Sequence, residues 1–170
     1  MRQADFDTTD LRRAFGTFLT GVTVVTTRDE SGAPCGMTAN SFTSVSLDPP
    51  LVLVCIGNGS SNITAFEATD RFAVNILGHD QTDVATVFSA RGVDRFATIV
   101  HEEATTGAPI LTDCLGWFDC RLHQRVIAGD HLILIGYVED LQIGQRPPLG
   151  FCRGRFVNLD ATVSPGMPAK

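Results

Sequence analysis

An antiparallel β-barrel with a few short helices is the fold class this sequence predicts. Strand-like stretches follow one another through turns, the helical stretches are short, and no regular strand–helix alternation builds a doubly wound sheet. Sixteen Gly and eight Pro among 170 residues supply the turns that such a chain needs.

The elements can be justified in order. Residues 10–19 place Leu11, Ala14, Phe15, Phe18 and Leu19 on one helical stripe, with Asp10 as the expected N-cap. Val22 to Thr27 is β-branched throughout, and Ser31-Gly32-Ala33-Pro34 is a turn. Residues 35–46 run into an alternating Phe42–Ser46, which Asp48-Pro49-Pro50 interrupts; Leu51 to Ile56 is a wholly apolar strand. After the turn Gly57-Asn58-Gly59, Ser60 or Ser61 is expected to cap a short helix reaching about Thr69. Arg71 to Leu77 reads as a strand and Thr82 to Ser89 as another short helix, whereas residues 90–116 read as an extended loop with short elements. Over 117–126, Phe118, Cys120, Leu122 and Val126 share one face, with Asp119, Arg121, His123 and Arg125 on the other. Gly129-Asp130 turns this strand into a partner, His131 to Leu141, and Phe151 to Leu159 is expected to form one last strand. One domain over 10–159 is expected, with an extension at 1–9 and a disordered tail at 160–170.

Composition narrows the function. A formal charge of −6 argues against a nucleic-acid surface, which requires a basic stripe. The apolar runs are far short of the ~20 residues that span a bilayer, so no membrane partner is expected. Met1 to Asp5 carries no apolar segment, so no signal peptide is expected. The five cysteines form no CxxC pair, which suits free thiols in a reducing cytoplasm. The four histidines make no ligand cluster with them, and no metal site is expected.

Gly57-Asn58-Gly59-Ser60-Ser61-Asn62 follows a strand and opens a helix, imitating a dinucleotide fingerprint. Asn62 replaces the third Gly, which close helix–strand packing needs, and hairpins follow instead of βαβ units. The Ser-Ser-Asn cluster nonetheless offers hydroxyls and free N–H groups either to an anion or merely to the helix start. Thr38-Ala39-Asn40-Ser41 is a second run of small polar residues, suited to close approach by a flat heterocycle or to turn chemistry of its own.

Three blocks carry a resemblance. They are Thr20 to Thr26 followed by Gly36-Met37-Thr38-Ala39-Asn40-Ser41-Phe42-Thr43-Ser44-Val45-Ser46-Leu47-Asp48-Pro49-Pro50, then Gly129-Asp130-His131, then Pro148-Leu149-Gly150-Phe151-Cys152-Arg153-Gly154-Arg155-Phe156. In this order they closely resemble the short-chain NAD(P)H:flavin oxidoreductases, the reductase components of two-component flavin-dependent monooxygenases. The resemblance covers about Leu11 to Leu159. It implies an FMN-binding split β-barrel, mostly antiparallel, a homodimer, and FMN or FAD as flavin. It implies that Thr38, Ala39, Asn40, Ser41, Ser44 and Cys55 line the flavin. Ser60, Ser61 and Asn62 would meet its polar edge or phosphate, and Phe88, Arg91 and Phe96 belong to the next contacting stretch. Arg91 or Arg95 is the candidate phosphate partner, since a guanidinium fork suits phosphate. Gly129, Asp130, His131 and Phe151 would serve NADH, favoured here over NADPH, with His131 beside the nicotinamide. Members often carry Tyr where this chain has Phe151, Cys152 and Phe156, so any phenolic hydroxyl there is lost. Arg153 and Arg155 could meet a pyrophosphate or be ordinary surface charges.

Hydride transfer between stacked rings needs orientation and no acid or base, in keeping with the absence of GxSxG, HExxH or an obvious carboxylate pair. The expected activity is reduction of free flavin by NAD(P)H for a separate monooxygenase. A non-catalytic flavin-binding or electron-carrier protein on the same barrel, and a Rossmann-type dehydrogenase, are the competing readings.

Overall fold

A computed structural model of the chain describes residues 6–159. The expected tail at 160–170 therefore lies outside the described residues. The first helix, α1 (Thr8–Phe15), begins before the predicted position. Asp7 is its N-cap, accepting from the N–H groups of Thr9 and Asp10 at 2.7 and 2.8 Å. Asp10 falls instead in the first turn, where a carboxylate also favours the helix dipole. The extension predicted to reach residue 9 thus already contains the start of α1.

The chain continues through β1 (Thr20–Gly21), β2 (Thr23–Arg28), β3 (Pro34–Ala39), β4 (Thr43–Leu47), β5 (Pro50–Gly57), α2 (Ile63–Ala68), β6 (Arg71–Ile76) and α3 (Thr82–Ser89). The stretch read as extended loop carries two short strands, β7 (His101–Glu103) and β8 (Pro109–Leu111). Two long strands follow, β9 (Gly116–Ala128) and β10 (His131–Ile143), and then β11 (Leu149–Cys152) and β12 (Arg155–Asn158). Seven strands make one antiparallel sheet in the order β3-β2-β6-β9-β10-β5-β4. It curls so that Val25, Ala39, Val54, Phe72, Cys120 and Leu134, from strands at both ends of that order, pack into one core. Pairing stops at β3 and β4, so the structure is a split, mostly antiparallel barrel. Outside it, α3, Val24 of β2 and Leu149 of β11 form a second core. No helix among the described residues is long and apolar enough to cross a membrane.

Two sequence expectations need correction. The predicted strand Phe151–Leu159 is a hairpin, because Arg153 and Gly154 both take positive φ, 50° and 76°, and reverse the chain. Val126 does not share a face with Cys120. The pairing of β9 with β10 passes from Leu122↔Gly136 to Gln124↔Ile135, so His123 bulges and every later side chain changes face. Asp119, on the opposite, polar face with Arg121 and His123, is nonetheless fully buried. Its carboxylate accepts from both the N–H and the hydroxyl of Thr106, which compensates its removal from water.

The barrel core packs most tightly against β10 at Gly136. A Cβ there would stand 2.6 Å from Cζ of Phe72 and 2.8 Å from Cβ of Cys120, both fully buried. Gly136→Ala gains ~0.5–1 kcal/mol of strand preference but overpacks the core by about 1–3 kcal/mol. Net destabilisation is expected, read as a lowered denaturant midpoint with an unchanged slope; a midpoint equal to that of the parent protein would contradict this packing.

Candidate active site

Antiparallel pairing with β2 holds β3 in place, and β3 delivers Met37, Thr38 and Ala39 to the barrel's flank. Two cavities of about 310 Å³ each open there and share Thr38 and Ser89. The first is a slot with apolar walls, made by Val22, Ala39, Ala85, Phe151 and Phe156, and with polar Thr38, Asn40 and Ser89. Phe151 and Phe156 face each other across the β11–β12 hairpin, ring centroids 5.7 Å apart. The second cavity is lined by Ser60, Ser61, Arg91 and Arg95, with Met37, Gly57 and Gly59 around them and the buried Phe88 as a wall.

The second cavity is rich in donors. Arg95 donates to the carbonyl oxygens of Gly36 at 2.8 Å and Ala90 at 2.6 Å, and to the Ser61 hydroxyl at 3.2 Å. Arg91 makes one long bond, 3.4 Å, to the Gly59 carbonyl. Arg95 is therefore held in position while Arg91 is nearly free to turn. The expected helix cap is corrected: the N-cap of α2 is Asn62, and no side chain caps the helix. The Ser60 hydroxyl accepts from the Asn62 N–H at 3.2 Å, and Asn62 itself donates to the Gly36 carbonyl at 2.7 Å.

The remaining sequence-predicted residues fall in three groups. Thr38, Ala39, Asn40, Ser60, Ser61, Phe88, Arg91 and Phe151 line the cleft. Ser41, Cys55, Asn62 and Phe96 support it from behind. The Ser41 hydroxyl bonds both the carbonyl and the N–H of Cys55, at 3.0 and 2.9 Å, which joins the β3–β4 connection to β5. Phe96 packs edge-on against Phe88, centroids 5.1 Å apart. Ser44, in the paired strand β4, lines neither cavity. The third group, Gly129, Asp130 and His131, stands at the rim. Gly129, at φ 60°, makes the two-residue turn between β9 and β10. His131 then pairs with Gly57, and a Cβ on Gly57 would lie 3.5 Å from its Nε2, so the imidazole stands over one wall of the second cavity. Its Nδ1 is 2.8 Å from Oδ1 of Asp130, which leaves Nε2 as the free ring nitrogen. The bond and charge of His131 hold the Asp130 carboxyl below the usual carboxylate range, and Arg12 adds to this.

Sequence reasoning missed Val22, Ala85 and Ser89, and named Phe156 only as a position where family members often carry Tyr. Ser89 carries a signal in hindsight: it closes the α3 pattern, one residue after Phe88. The others look like ordinary core residues in sequence.

The barrel is shared with solved flavin reductases, one of which superposes with a TM-score of 0.84 at 40% identity. The family model described as flavin reductase like domain matches residues 15–160, and the chain belongs to that family. It is 48% identical over 147 residues to the reductase component of a flavin-dependent trigonelline monooxygenase from Acinetobacter baylyi, covering 86% of this chain and 47% of that protein. It is 43% identical over 156 residues to a stachydrine N-demethylase reductase subunit from Rhizobium meliloti, covering 92% of this chain and 68% of that one. Among solved structures, an NADH:FAD oxidoreductase of Streptomyces globisporus C-1027, in complex with NAD and FAD fragments, superposes with a TM-score of 0.86 at 39% identity, covering 93% and 96% of the two chains. The chain spans about half the length of two curated relatives, 49% and 47%.

The thiols give a direct check on this geometry. Burial pushes Cys120 up to about 12 and raises Cys55. Both stay protonated at neutral pH, so neither supplies a thiolate nucleophile. Iodoacetamide followed by peptide mass mapping should leave Cys120 unmodified in the native protein and label it after denaturation. Rapid native labelling of Cys120 would mean that the barrel core is open.

Proposed function

We propose that this chain is an NAD(P)H:flavin oxidoreductase that reduces free FMN or FAD and passes the reduced flavin to a separate monooxygenase. The observation that carries the reading is the joined cleft of β3 and α3, with its apolar slot at one end and its arginine and serine end at the other. These residues fit a flavin. Ala39, Ala85, Phe151 and Phe156 would hold a flat ring system between apolar walls, and Thr38, Asn40 and Ser89 would meet its polar edge. Ser60, Ser61, Arg91 and Arg95 would hold a phosphate, Arg95 as a fixed fork and Arg91 as one able to close on it. Ser41, Cys55, Asn62 and Phe96 would act by keeping those walls in place, and Ser44 by supporting β4.

A bound flavin supplies a two-electron acceptor for a hydride from nicotinamide, so the protein's share is orientation and exclusion of water. Asp130 would orient the His131 ring, and His131 would present Nε2 to the nicotinamide at the cleft rim. NADH, favoured over NADPH, would lie between His131 and Phe151. The reading of a homodimer draws support from exposed apolar side chains: Leu47 at 95%, Ile127 at 83% and Phe18 at 75% exposed. A cytoplasmic setting draws support from five free cysteines.

The test is NADH oxidation with added flavin, followed by anaerobic bleaching of the flavin absorbance. Oxidation that depends on FMN or FAD is expected, and its absence with both flavins would overturn the reading. His131→Ala should lower kcat/KM for NADH about tenfold, the scale of one hydrogen bond to a polar partner, with flavin affinity unchanged. An unaltered rate and an unaltered KM would remove His131 from the nicotinamide site.

A further inference from the structure

We infer that an arginine cavity between α1 and the β11–β12 turn binds the diphosphate of the nicotinamide dinucleotide. The inference rests on the reading above and assigns a site to residues that it leaves unused. The cavity measures about 500 Å³ and is lined by Thr9, Arg12, Arg13 and Thr17 with Arg153 and Gly154. Three of the chain's thirteen Lys and Arg residues converge here, in a protein whose formal charge is −6.

Ordinary pairing does not explain the cluster. Arg12 and Arg153 have no ion-pair partner among the described residues, and Arg13 meets only Asp10, at 3.9 Å. Helix-end electrostatics accounts for Arg12 and Arg13 in the last turn of α1. It does not account for Arg153, which belongs to another element. Arg153 sits at φ 50°, a conformation that a long L side chain occupies at a cost and that Asn or Gly would take more readily. An arginine kept there is best explained by what its guanidinium reaches.

The position of the cavity selects the ligand. The cavity lies close to the cleft along the chain: Phe151 of β11 lines the flavin slot, and Arg153, two residues later in the turn, lines the arginine cavity. The Arg153 N–H donates to the Gly16 carbonyl at 2.6 Å, which fixes the end of α1 against that turn. On the other side, the charge of Arg12 reaches Asp130, the neighbour of His131. The cavity therefore neighbours Phe151, one of the two places assigned to nicotinamide. The Arg91 and Arg95 pair already occupies the opposite end, where a flavin phosphate would lie. A dinucleotide whose nicotinamide lies by Phe151 would carry its diphosphate towards Arg153, Arg12 and Arg13, and guanidinium forks match phosphate oxygens.

Two variants of the full chain test this by calorimetry with ADP-ribose, FMN and FAD as separate probes. Arg153→Asn keeps a residue suited to positive φ, so the turn and the melting temperature should hold while the charge is lost. Arg12→Gln with Arg13→Gln removes the helix pair. ADP-ribose affinity is expected to fall about tenfold for each arginine that matters, as loss of a charged hydrogen bond implies. FMN and FAD affinities should not change, and raised salt should weaken ADP-ribose binding to the parent more than to the variants. Weakened FAD binding with intact FMN binding would give the cavity to the flavin's own diphosphate and overturn the inference. So would ADP-ribose affinity equal to the parent's in both variants, or no ADP-ribose binding by a parent that oxidises NADH with flavin. A parent that binds ADP-ribose through these arginines yet reduces no flavin keeps the cavity and refutes the reductase reading instead.

Discussion

Burial of β2 on both faces is the constraint on which the rest of this structure depends. Successive side chains of a strand point to opposite faces, and here both faces are covered: Val25 enters the barrel core while Val24 enters the second core beneath α3. A strand so placed cannot leave polar atoms unpaired, and β2 contains three threonines. Each hydroxyl finds an acceptor or partner: Thr23 at the Ala39 carbonyl, Thr26 at Pro109, and Thr27 at the Thr69 hydroxyl and the Arg71 carbonyl. Asn75, equally buried, donates to the Val24 carbonyl and accepts from the Leu111 N–H, which ties β6, β2 and β8 together. The register of β2 then determines that of β3, and so where Thr38 and Ala39 face the cleft.

The cleft inherits its rigidity from that strand pair, and one backbone oxygen joins two sides of its polar end. The Gly36 carbonyl accepts from both Asn62 at the start of α2 and Arg95 beyond α3. Three segments distant in sequence thereby meet at one oxygen. Thr38 adds a bond from its hydroxyl to the Ala85 carbonyl in α3, at 2.6 Å. Such cross-links let short helices, which have little stability alone, keep a defined position against the sheet.

Legibility in the sequence followed the physics of each element. Alternation and β-branching marked the paired strands because burial on one or both faces demands them, and Thr82–Ser89 was readable as α3 because its apolar spacing is helical. The bulge at His123 left no mark, since one extra residue in a polar strand alters no composition. Arg153-Gly154 was unreadable as a turn because Arg is uncommon at positive φ, and only the tertiary setting reveals why it is there. The polar runs at 38–41 and 60–62 were visible as clusters, but their division of labour was not. Thr38 and Asn40 line the cleft while Ser41 latches Cys55, a difference that depends on side-chain direction along one short stretch. Arg91 and Arg95 were indistinguishable by type, and only the Gly36 and Ala90 carbonyls separate a fixed guanidinium from a loose one.

The charge distribution sets the terms on which this cleft could exchange anionic ligands. A net charge of −6 repels a phosphate-bearing molecule at long range, although salt confines that repulsion to about one Debye length, ~8 Å. Attraction must then come from arginines placed within reach of the ligand, and these occur as two separate groups, Arg91 with Arg95 and Arg12 with Arg13 and Arg153. Each group opens to solvent, where a charged contact is worth less than in a sealed interior. Under the proposed function, such contacts would favour moderate affinity and quick dissociation. A deep, dry phosphate pocket would bind more tightly and release more slowly. If the proposed function holds, an open cleft of this kind would let a nucleotide enter and depart within one turnover.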